Sequence, residues 1–99
     1  LKYALELAER AIAMEPENAA FLDTIGWIYY KMGLYKNAQK YLEKSLKIDG
    51  ENPVILEHMG DIFNKLDSET QALLLYKKAL LKDSSNKIIY ENINQINAR

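Results

Sequence analysis

Residues 19–52 read AAFLDTIGWIYYKMGLYKNAQKYLEKSLKIDGEN, and residues 53–86 read PVILEHMGDIFNKLDSETQALLLYKKALLKDSSN. Laid one beneath the other, the two stretches align without a gap, and the register extends to both sides. At a shift of 34 residues Asn18, Asn52 and Asn86 coincide, as do Glu15, Asp49 and Asp83, while Ala4 falls on Ala38 and Ala72 and Gly26 falls on Gly60. The apolar positions keep the same step: Leu22, Leu56 and Tyr90; Ile25, Met59 and Ile93; Ile12, Leu46 and Leu80. A fixed period of this length marks copies of one supersecondary unit.

Within the unit each residue type has a physical reason for its place. The three asparagines each precede an apolar-periodic stretch, which is where a short side-chain carbonyl caps an orphan backbone N–H. Pro53 follows Asn52 at the first helical position, where a missing N–H costs nothing. From Ala19 to Met32 the apolar residues Phe21, Leu22, Ile25, Ile28, Tyr29 and Met32 recur at helical spacing. Gly33 ends that helix, and a second periodic stretch from Tyr35 to Ile48 carries Ala38, Tyr41, Leu42, Ser45, Leu46 and Ile48. The spacing predicts an antiparallel helical hairpin, repeated as Pro53–Leu66, a turn at Asp67 and Ser68, and Glu69–Lys82. Gly26 and Gly60 stand mid-helix, where glycine costs about 1 kcal/mol relative to alanine. Close approach of Ala38 and Ala72 on the partner helices is the expected reason, with Ser45 and Ala79 as the small residues where each second helix meets the following hairpin.

The run Leu22, Ile25, Gly26, Tyr29, Ala38 and Leu42, matched by Leu56, Met59, Gly60, Phe63, Ala72, Tyr76 and Ala79, resembles the tetratricopeptide repeat. It departs from that family's pattern where Leu22 and Leu56 replace tryptophan and where Gly50 and Ser84 replace proline. The resemblance implies an all-α fold, a right-handed superhelical stack of antiparallel hairpins, over the whole of residues 1–99. Residues 1–18, with the helix Leu1–Met14 followed by Pro16, look like the second helix of a preceding repeat, residues 19–52 and 53–86 like full repeats, and Lys87–Arg99 like the first helix of a following repeat or a capping helix. In that last helix Asn94 replaces the mid-helix glycine. Six helices are expected, and since the chain opens inside a unit, it reads as part of a longer protein.

By the same resemblance the first helices line a concave groove that holds a peptide or protein segment. Carried onto this sequence, the groove residues are Asp23, Trp27, Tyr30, Glu57, His58, Asp61, Asn64, Glu91 and Gln95. Asp23, Glu57, Asp61 and Glu91 form an acidic strip beside the aromatic Trp27 and Tyr30, while the second helices carry Lys36, Lys40, Lys44 and Lys47, then Lys77, Lys78 and Lys82. This segregation points to a partner with basic and apolar side chains; the other reading is a solvated acidic face. Some members of the family clamp a partner's C-terminal carboxylate with groove cations, but acids stand in the corresponding stretch here and would repel it. Trp27 reads either as an interface anchor or as packing against a neighbouring unit.

Composition narrows the remaining classes. At 99 residues and 48% hydrophobic content the chain can bury roughly 60 to 65% of its unfolded surface. A formal charge of −1 provides no bulk basic field for nucleic acid. The absence of cysteine removes thiol nucleophiles, thiolate metal sites and disulfides. No apolar run approaches the roughly 18 to 20 residues that span a bilayer. His58 is the only histidine; it shares a helix with Asp61 but lacks the three or four ligands a metal needs. No glycine-rich phosphate loop and no nucleophile, base and acid arrangement is present, so neither an enzyme nor a cofactor is expected.

The expected function is therefore a protein-interaction scaffold. The alternative is a structural solenoid segment that spaces or oligomerises other domains, and the apolar side of the opening helix (Ala4, Leu5, Ala8, Ile12) points to upstream repeats or to pairing between chains. The stretches Asp23–Trp27 and Glu57–Asp61 are similar to repeats of bacterial envelope proteins, which tilts the expected setting of a soluble protein toward the envelope.

Overall fold

A computed structural model of the protein describes residues 2–99 as six α-helices, with no strand among the described residues: α1 Lys2–Met14, α2 Ala19–Lys31, α3 Tyr35–Ile48, α4 Pro53–Lys65, α5 Glu69–Lys82 and α6 Lys87–Asn97. The expected helix at Leu1 lies outside the described residues. The chain divides into two compact units between Gly50 and Glu51.

Local chemistry sets the helix ends. Asn18 Oδ1 accepts the Phe21 N–H at 3.0 Å, Asn52 Oδ1 accepts from Val54 at 2.9 Å, and Asn86 Oδ1 accepts from Ile88 at 3.0 Å and Ile89 at 3.2 Å. All three asparagines are N-caps, as their sequence position requires. The C-termini of α2 and α4 fall one residue short of the expected Met32 and Leu66, which are the C-cap residues instead. Gly33, with φ at 79°, lets its N–H reach the Tyr30 carbonyl and the Leu34 N–H reach that of Tyr29, a Schellman closure that turns the chain before another helical residue can be added. Asp67 occupies the same place after α4 with φ at 60°, and the Asp67 and Ser68 N–H groups bond back to Asn64 and Phe63.

In the first unit α2 and α3 form a tight hairpin. Leu22, Ile25, Ala38 and Leu42 are buried between them, and Tyr29 and Tyr41 stack with ring centroids 5.6 Å apart. The expected approach of Ala38 to the mid-helix glycine is present, since a Cβ on Gly26 would lie 3.3 Å from the Ala38 carbonyl, but the Leu42 side chain comes closer still. The glycine is therefore a socket for leucine as well as a neighbour of alanine. The Ser45 hydroxyl donates to the Ala19 carbonyl at 2.7 Å, tying α3 back to the start of α2. Helix α1 packs against α2 and buries Ala8, with Ala4, Leu5 and Ile12 half-buried. The apolar groups it leaves in solvent are instead Tyr3, Leu7 and Met14, the last 83% exposed.

The second unit repeats the hairpin with α4 and α5, burying Ile55, Leu56, Met59, Ile62, Ala72, Tyr76 and Ala79. Here the glycine socket receives an aromatic ring, since a Cβ on Gly60 would lie 2.7 Å from Tyr76 Cε1. Helix α6 packs on α5 and buries Ile89 and Ile96, which stand 34 residues after Ile55 and Ile62. The shift-mate of Leu22 and Leu56, Tyr90, is 47% exposed, with its hydroxyl donating to the Ser84 carbonyl.

Candidate protein-interaction surface

On α2, Asp23, Trp27 and Tyr30 recur at four and three residues, which confines them to an arc of about 60° on the helix. All three are half-buried. The Trp27 and Tyr30 rings stack face to face, centroids 4.5 Å apart and planes within 8° of parallel. Tyr35, the first residue of α3, extends this platform by tilting against Tyr30 at 5.5 Å and 57°. The tight Gly33 turn is what brings Tyr35 back beside α2. Lys31 Nζ stands 5.1 Å from the Trp27 ring centroid, so this aromatic face already attracts a cation from within the chain. A stacked aromatic pair with a carboxylate one helical turn away can take an ammonium or guanidinium group together with its aliphatic stem, in place of Lys31 over Trp27.

The candidates of the second unit have a different environment. Asn86 uses both ends of its amide, since while Oδ1 caps α6, Nδ2 donates to Glu57 at 2.9 Å. Asp61 accepts the Tyr76 hydroxyl and, at 3.4 Å, Asn92 Nδ2. Asn64 Oδ1 accepts from Arg99 Nη1 at 3.0 Å, and the same nitrogen lies 3.2 Å from Glu69 Oε1. Glu57, Asp61 and Asn64 therefore tie α6 and its flanking residues to the α4–α5 hairpin. His58 is half-buried on α4, and Glu91 and Gln95 are exposed on α6.

The Tyr76 hydroxyl reaches Asp61 because its ring crosses the chain at Gly60. Neither this pairing nor the roles of Tyr35, Lys31, Asn92 and Arg99 is evident from sequence. The legible signal was the coincidence of Gly60 with a tyrosine sixteen residues later, at the place where the first hairpin carries Leu42. Among titrating groups, burial pushes the Tyr29 hydroxyl above the usual tyrosine range, with Tyr41 and Glu9 adding to the effect. Among the described residues no group of His, Cys, Asp and Glu is arranged to hold a metal ion, and no helix is long and apolar enough to cross a membrane.

Residues 19–52, the α2–α3 hairpin with its flanking turn, match the tetratricopeptide repeat family. The chain has the tetratricopeptide-repeat fold. Solved tetratricopeptide structures share it along nearly the whole chain at low sequence identity. The second tetratricopeptide domain of human RPAP3, solved in complex with the HSP70 peptide SGPTIEEVD, superposes with a TM-score of 0.87 at 22% identity, covering 96% of this chain and 79% of that one. The Arabidopsis OM64 tetratricopeptide domain gives 0.91 at 18% identity, over 97% and 79%. A tetratricopeptide protein of Thermus thermophilus gives 0.86 at 19% identity, and there this chain spans half of the longer protein. No curated protein matches the sequence. At such identities the tetratricopeptide likeness establishes the fold, and the chemistry of the surface must come from this chain's own residues.

Proposed function

We propose that this chain is a protein-interaction scaffold whose α2 face holds a peptide or protein segment with basic and apolar side chains. The observation that carries the reading is the stacked Trp27–Tyr30 pair with Asp23 one turn away. The occupied cation position over Trp27 supports it further, because a partner's lysine or arginine can take the place of Lys31. In the second unit, taken by itself, Glu57, His58, Asp61 and Asn64 on α4 and Glu91 and Gln95 on α6 are proposed as polar contacts for a partner of that unit. Tetratricopeptide relatives bind peptides, as the human RPAP3 complex with an HSP70 peptide illustrates. That peptide ends in EEVD, and the acids on this chain's first helices oppose such a terminus. The partner proposed here therefore has the opposite charge. No catalytic step, metal or cofactor forms part of the proposal.

The proposal is tested by calorimetry with a short peptide of alternating lysine and leucine. Trp27→Ala should weaken its binding about tenfold or more, the loss typical of an aromatic anchor, with the helical circular dichroism spectrum retained. Unchanged affinity in the variant contradicts the reading. A second reading, a structural segment of a longer solenoid, is favoured by one feature, the exposure of Tyr3, Leu7 and Met14 along α1. It predicts concentration-dependent association by light scattering and no peptide binding at Trp27.

A further inference from the structure

The second helix of the first unit carries a surface unlike that of α2. Lys36, Lys40, Lys44 and Lys47 fall within an arc of about 80° along α3 and span about 16 Å. All four are exposed. Glu43 shares this side of the helix, accepting from Gln39 Nε2 at 2.9 Å, and four lysines against this one acid leave the face predominantly positive. At its C-terminal end the stripe runs into a cleft of about 400 Å³ lined by Pro16, Glu17, Leu22, Lys44, Lys47 and Ile48. The buried Leu22 belongs to its wall, and Ile48 adds an apolar side chain that is 43% exposed. Glu17 is the single acid of the lining, against two lysines.

We propose that this cleft and the α3 lysines form a second docking site, for an acidic protein segment carrying one bulky apolar side chain. The apolar group enters beside Leu22, Pro16 and Ile48. Carboxylates flanking it meet Lys44 and Lys47, and those further along the segment meet Lys40 and Lys36. Charge complementarity names the occupant: the lysines reject the basic segment suited to the α2 platform, and the apolar lining gives a polyanion without a hydrophobic side chain nothing to insert. The stripe is matched in length by about five residues of extended chain. The site does not depend on the α2 reading, since it shares none of the residues of the aromatic platform.

The test is fluorescence anisotropy on the 99-residue chain with a labelled nonapeptide of glutamates around a central leucine. Binding should weaken about tenfold when that leucine is replaced by glycine. It should weaken about tenfold or more in the Lys44→Glu/Lys47→Glu variant and remain unchanged in Trp27→Ala. Because both lysines are exposed, circular dichroism should report an intact fold. As a second reading that needs no variant, amide chemical shifts should move at Leu22, Lys44, Lys47 and Ile48 on addition of the leucine peptide. Equal binding of the glycine peptide, equal displacement by single-stranded DNA or phosphatidylserine vesicles, or shifts confined to other residues overturns the proposal. Loss of binding in Trp27→Ala together with full binding in the lysine variant assigns the peptide to α2 and also overturns it.

Discussion

Gly33 and Asp67 stand 34 residues apart with their backbones in the left-handed region, at φ 79° and 60°. A Cβ on Gly33 would meet nothing within 4 Å, so substitution there isolates the backbone cost. Gly33→Ala should lower stability by about 1 kcal/mol, and Asp67→Gly should raise it by a few tenths, both read as shifts in the urea midpoint. Gly60 is the opposite case, with ordinary helical backbone but no room. Alanine would gain about 1 kcal/mol in helix propensity and lose about 1 to 3 kcal/mol against the buried Tyr76 ring. A net loss of about 1 kcal/mol for Gly60→Ala is expected from the same urea measurement. The sequence made the need for a small residue at 26 and 60 legible through their cost in mid-helix. It anticipated the approach of Ala38 to Gly26 but not what fills the space, because the pattern carries no information on side-chain reach, which brings Leu42 and Tyr76 closest.

Helices in this chain were readable because caps and periodicity agree: the three asparagines cap α2, α4 and α6, and every helix lies within two residues of its predicted end. The docking of α6 was not readable, because it rests on polar pairs between residues 29 to 35 positions apart. Asn86→Asp keeps a capping oxygen but loses the donor to Glu57 and sets two carboxylates against each other. It should cost about 1 to 2 kcal/mol and raise amide exchange in α6 more than in α4. The ends of the α4–α5 hairpin carry a weaker, solvent-exposed tie, Lys82 Nζ to Glu51 at 2.9 Å. The hydrogen bond to Lys82, then its charge, holds the Glu51 carboxyl below its ordinary value. A depressed folded-state value means that this tie contributes above the unfolded carboxyl range and is lost as pH falls through the folded value. Carboxyl NMR should place the Glu51 midpoint below the ordinary value of about 4.3, and Lys82→Ala should bring it back up.

At the scale of the molecule, near-neutral net charge conceals two surfaces of opposite character in the first unit: an aromatic and acidic face on α2 and a lysine stripe on α3. The acids and lysines could be assigned to different helices from the repeat alone. Sequence could not show that Glu57 and Asp61 of the second unit are engaged in holding α6. Nor did it show that Trp27 and Tyr30 would stack with each other and with Tyr35, since this depends on the tightness of the Gly33 turn. The chain's one tryptophan lies in that stack, so its emission reports directly on the proposed binding face. The deciding measurement is Trp27 fluorescence, with acrylamide quenching, during titration with the lysine–leucine peptide. The account predicts a saturable change in emission and reduced quenching, with no such change from a glutamate–leucine peptide. Unchanged emission and quenching at peptide concentrations that calorimetry shows to be saturating, or an equal response to both peptides, would contradict it.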